Sequence, residues 1–113
     1  METQENKFKK MATLVEYSRD ICDVSNLSEE QLKKIENEIY DFFDNIHIVR
    51  SRFTGDKDIK YFDEHQEVLG LGRIERTENF YKISVNKKVN LKGLEILSEI
   101  INIAKGIQSQ DYN

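Results

Sequence analysis

Residues 46–86, IHIVRSRFTGDKDIKYFDEHQEVLGLGRIERTENFYKISVN, decide the fold. Short runs of β-branched and aromatic residues alternate there with clusters of Gly, Asp, Asn and Thr, the pattern of strands separated by turns. Ile48-Val49-Arg50-Ser51-Arg52-Phe53 reads as a strand, followed by a turn at Thr54-Gly55-Asp56-Lys57. Ile59-Lys60-Tyr61-Phe62 reads as a short second strand or an irregular loop, and Asp63-Glu64-His65-Gln66 as a polar connection. Val68 to Arg76 is a third strand, in which Gly70 and Gly72 signal a bulge or the close approach of another backbone. After Thr77-Glu78-Asn79, the run Phe80 to Asn86 sets Tyr81, Ile83 and Val85 against Lys82 and Ser84. Connections this short cannot carry parallel crossovers, so the expectation for 47–86 is an antiparallel meander of three to four strands.

Outward from this stretch the hydrophobic period lengthens to that of a helix. Ser28-Glu29-Glu30-Gln31 fits a capping box with Ser28 as N-cap, and Leu27 and Leu32 fall where a hydrophobic staple would form. Leu32, Ile35, Ile39, Phe42, Phe43 and Ile46 then line one face of a helix expected over 28–46. Upstream, Phe8, Met11, Ala12, Leu14, Val15, Ser18, Ile21 and Cys22 recur at helical steps, which predicts a helix over 6–24, broken at Ser25-Asn26. Downstream, a helix is expected over 91–106, with Asn90 as N-cap and Gly106 as the C′ residue, and 107–113 as a tail. The order is ααββββα: an α+β fold with the helices packed on one face of the sheet, and 1–113 as one domain.

Composition narrows the functional classes. The net charge is −4, yet residues 46–92 carry ten basic against seven acidic side chains. Cys22 is the single cysteine, so no intramolecular disulfide can form, and the expectation is a reducing compartment, the cytoplasm. No apolar run approaches the ~18 residues of a membrane span, and no signal-peptide pattern is visible at residues 1–10. Proline is absent, and abundant Ile, Lys and Asn point to an AT-rich coding sequence, as in low-GC bacteria or their phages and plasmids.

No local motif assembles a reaction. Leu69-Gly70-Leu71-Gly72-Arg73 contains a G-x-G, but inside a strand instead of between a strand and a helix N-terminus, so it is no phosphate loop. Cys22, His47 and His65 share no metal-ligand spacing, and Cys22 on an apolar stripe reads as a buried, inert thiol. The carboxylate pairs Asp41/Asp44, Asp56/Asp58 and Asp63/Glu64 lie at a helix end and in turns, where solvated acids are ordinary. No cofactor is expected.

Two surfaces stand out. Alternation along the strands could gather Arg50, Arg52, Arg73 and Lys82 with Leu71 and Phe80 on an open sheet face, suited to an acidic protein patch or to nucleic-acid phosphates and bases. Arg50 and Arg52 share parity with Ile46 and Ile48, which requires either that the isoleucines belong to the helix end or that a bulge resets the strand. The wide apolar arc of the last helix spans the core or extends, through Ile96, Ile100, Ile103 and Ile107, into a homodimer interface. The leading expectation is a non-enzymatic protein-binding domain: an adaptor, an inhibitor or an immunity-type accessory protein. The alternative is nucleic-acid or phosphate-ligand binding through the sheet face. A minor one is an enzyme whose site is built from distant residues around Cys22 or a histidine.

Overall fold

The structure, a computed structural model, describes residues 21–110. Its elements run β1 (Val24–Leu27), α1 (Glu29–Phe42), β2 (Ile46–Arg50), β3 (Lys57–Phe62), β4 (Val68–Thr77), β5 (Phe80–Val85) and α2 (Leu91–Gln110). The expected α+β class holds, with one strand more than expected and both helices on one face of an antiparallel sheet. Most of the helix expected over 6–24 lies outside the described residues. Its end does not form as expected: residues 21–23 have no regular structure and Val24–Leu27 is a strand on β5.

The strand order is β1-β5-β4-β3-β2. Strands β2 to β5 form the expected meander, and Ile59–Phe62 belongs to a true strand. Helix α1 joins one edge strand to the other, so it must cross the whole sheet. It starts where the capping box lies: the Ser28 hydroxyl accepts from the Gln31 N–H at 3.1 Å, and the Gln31 side-chain oxygen accepts from the Ser28 N–H at 2.8 Å. Two of the helix's orphan N–H groups are thereby satisfied, and Glu29 and Glu30 in the first turn suit its dipole. Leu27 and Leu32, at the staple positions, are both buried. The helix stops at Phe42, four residues short of the expected end, because Ile46 is the first core residue of β2.

Helix α2 opens as expected, with the Asn90 side-chain oxygen accepting from the Gly93 N–H at 2.9 Å. It does not stop at Gly106. Ala104 and Ile107 are buried on either side of that glycine, and the Gln108 amide donates to the Ser25 carbonyl at 2.8 Å, tying the last turns to β1. Tertiary burial outweighs the ~1 kcal/mol cost of a glycine in a helix interior.

The core lies between the sheet and the two helices. Ile35 and Ile39 of α1, Leu97 and Ile100 of α2, and Ile59, Leu71 and Ile83 of the sheet are fully inaccessible. Both readings of the third strand's glycines are realised. The β3–β4 register shifts between Ile59↔Gly72 and Lys60↔Gly70, leaving Leu71 as the extra, bulged residue. At Gly72 a Cβ would stand 2.3 Å from the Ser84 carbonyl oxygen of β5, so only glycine fits.

Candidate functional site

Register and alternation divide the sheet's side chains between two faces. Ile46, Ile48 and Arg50 of β2 lie opposite Tyr61, Ile59 and Lys57 of β3, and all six belong to the helix-facing side. The parity conflict therefore resolves without a bulge in β2: the isoleucines feed the core, and Arg50 is the strand's last residue on that same side. Arg52 has left the strand and is exposed in the β2–β3 turn, while Leu71 is buried. The open face expected to join Arg50, Arg52, Leu71, Arg73, Phe80 and Lys82 thus does not assemble. Only Arg73, Phe80 and Lys82 share the outer face.

Two cations on that face, Arg73 and Lys82, have carboxylate partners, whereas Lys60, in register with His47, forms no ion pair among the described residues. Arg73 Nε lies 3.2 Å from Asp58 Oδ1, its cross-strand neighbour. Lys82 Nζ lies 3.5 Å from Asp23 Oδ2 and stands in register with Glu75. These exposed pairs contribute little stability, but they leave the face close to charge-balanced.

Apolar groups sequence reasoning missed occupy the β2 side of the same face. Val49 and His47 are alternate residues of β2. The His47 ring meets Phe62 edge-on at 4.9 Å between centroids, and Phe62 stands opposite Val68. Val49, His47, Phe62 and Val68 so form a continuous stripe across three strands, with Val49 and Val68 about half exposed. The apolar members are separated in sequence by two turns, so only the register joins them. β2 is also the edge of the sheet. The Tyr40 hydroxyl accepts from the Ile48 N–H at 3.1 Å, so one backbone group on this edge strand is held by a side chain.

A concavity lies on the helix side, near the β2–β3 and β4–β5 turns, beneath the first turns of α1. This cleft of about 570 Å³ is lined by Glu29, Leu32, Lys33 and Glu36 of α1, by Arg50, Lys57, Ile74, Arg76 and Tyr81 of the sheet, and by Thr54, Gly55, Asp56 and Glu78 of the turns. Lys57 Nζ lies 2.7 Å from Glu36 Oε1, a short pair whose side chains are 23% and 17% exposed, and therefore only partly screened by water. The signal in the sequence was the hairpin register, which sets Arg50 directly opposite Lys57.

The remaining candidates disperse. Cys22 is exposed instead of buried, because the segment around it is not the apolar face of a helix. His65 is exposed in the β3–β4 turn, where the Asp63 carboxylate accepts from the His65 and Glu67 N–H groups. Among the described residues, no three His, Cys, Asp or Glu side chains gather to hold a metal ion, and no helix is long and apolar enough to cross a membrane. The proposed self-association surface is occupied by the protein's own interior: Ile96, Ile100 and Ile107 are buried and Ile103 packs against the core. In comparisons with known proteins, no family model, curated protein or solved structure matches the chain.

Proposed function

We propose that the chain is a non-enzymatic protein-binding domain, an adaptor, inhibitor or immunity-type accessory protein, that meets its partner with the β2 side of its outer sheet face. One observation carries this reading: the stripe Val49–His47–Phe62–Val68, largely apolar and partly exposed, bordered by the charged side chains of Asp58, Lys60 and Arg73. An apolar centre inside a polar rim is the anatomy of a protein interface. A nucleic acid would need a run of free cations along its backbone, and on this face Arg73 and Lys82 are each matched by a carboxylate, which leaves Lys60 alone without an ion pair among the described residues. The AT-rich coding bias supports an origin in a phage or mobile element, and the single cysteine supports a cytoplasmic setting.

The test is capture from a host lysate with the parent protein and with a Val49→Asp/Val68→Asp variant, quantified by mass spectrometry. The parent should retain a partner in stoichiometric amount. The variant, folded by circular dichroism, should lose it by about thirtyfold or more, the scale of an interface hot spot. Equal capture by both proteins refutes the surface. Saturable, salt-dependent binding of short RNA or DNA, with no protein retained, replaces the reading with the nucleic-acid one.

A further inference from the structure

The cleft beneath α1 carries an unresolved conflict of charge. Arg50 and Lys57 are directly opposed across β2 and β3, an arrangement that destabilises a sheet unless an anion intervenes. Arg76 lines the same cleft from β4, so three neighbouring strands present cations to one concavity. Glu36 answers Lys57. Nothing answers the Arg50 guanidinium, which takes part in no hydrogen bond or ion pair among the described residues, and the Arg76 guanidinium donates only a long 3.4 Å bond to the Glu78 carbonyl. Guanidinium forks are shaped for a carboxylate, and two of them here lack one.

The rest of the lining limits the ligand. Leu32, Ile74 and Tyr81 supply apolar and aromatic wall, and about 570 Å³ is the volume of a small-molecule site, not of a buried ion. Glu29, Asp56 and Glu78 also line the cleft. With Lys33 and Glu36 counted, four basic and four acidic side chains line the cleft, so it has no net positive charge to hold a polyanion, and what it offers a ligand is the local pair of guanidiniums that lack a carboxylate. We propose that this cleft binds a small organic acid, its one carboxylate held between Arg50 and Arg76 and its aromatic or aliphatic body lying on Leu32, Ile74 and Tyr81. The site lies on the opposite side of the sheet from the stripe proposed to meet a protein partner and does not depend on it.

The experiment is a heteronuclear NMR titration of the full chain with 3-phenylpropionate and octanoate, with the neutral 3-phenylpropanamide as control. Saturable shifts should centre on Arg50, Ile74, Arg76 and Tyr81, and the amide should bind at least about tenfold more weakly than its acid. Arg50→Gln and Arg76→Gln should each weaken binding of the acid by about ten- to a hundredfold, the value of a hydrogen bond to a charged group. Val49→Asp, on the outer face, should leave the affinity unchanged. The proposal is overturned if neither acid gives saturable shifts at millimolar concentration. It is equally overturned if the amide binds as well as the acid, a comparison that needs no variant to fold.

Discussion

Replacing Gly72 by alanine tests the account of the sheet at its tightest point. The added Cβ would meet the Ser84 carbonyl oxygen at 2.3 Å and the Ser84 carbonyl carbon and Val85 Cα at 3.3 Å. The first distance falls about 1 Å short of ordinary contact, and the obstacle is backbone, which cannot rotate aside. Strands β4 and β5 must therefore separate locally. The neighbouring bond from the Asn86 N–H to the Leu71 carbonyl, now 2.9 Å, would be stretched with them. Overpacking costs about 1–3 kcal/mol and a weakened ladder bond about 1 kcal/mol more, so the expected loss is about 2–4 kcal/mol. With a urea dependence of about 1–1.5 kcal/mol per molar for a domain of this size, the unfolding midpoint should fall by roughly 2 M. Gly70→Ala is the internal control, because a Cβ at that position meets nothing within 4 Å. Its midpoint should stay within about 0.5 M of the parent's, helped by the entropy removed from the unfolded chain. Two variants with the same midpoint would refute the reasoning, since the difference rests entirely on the approach of β5.

Glu36→Gln should destabilise the fold by about 1–3 kcal/mol in the same urea assay, because it leaves Lys57 partly buried beside Arg50 with no carboxylate. The double variant Glu36→Gln/Lys57→Met should recover most of that loss, and no recovery would show that the ion pair is not the cause. Ile100→Ala, at a fully buried position of α2, should cost about 2–5 kcal/mol. It should leave the sedimentation behaviour of the folded protein unchanged; a shift in oligomeric state without loss of stability would return this helix to an interface role.

What could be read from the residues was what is decided locally. The capping box at Ser28 needs only four consecutive residues, and the pleat of β5 needs only its own alternation. The glycines of β4 were legible because a strand seldom tolerates two of them without a neighbour's backbone close by. β1 was hidden for a physical reason. Ile21, Val24 and Leu27 are all buried at steps of three, which imitates a helix. The backbone achieves that spacing otherwise: Asn26 adopts φ 61° and the pairing with β5 shifts between Val24 and Leu27, turning both side chains to the same side. The candidate site was less legible, because each of its surfaces is made by register. Arg50 sits with Lys57 and Arg76, and Val49 with Phe62 and Val68, only once the strands are aligned. Alternation alone says which residues of a strand share a face, and it does not say which face points outward.

The edge-to-edge route of the chain also sets an order in time. Each of β2, β3 and β4 pairs with the strand that follows it, so these contacts can form by short loop closures as the chain lengthens. β1 is different: Val24 finds its place only against Ile83, almost at the end of the sheet. During synthesis the apolar side chains of Ile21, Val24 and Leu27 stay uncovered until β5 has left the ribosome. Of the described strands, the first to be made is thus the last able to dock. A pause in translation before Phe80 would prolong the interval in which a nascent chain can be captured by a chaperone or by a neighbouring chain.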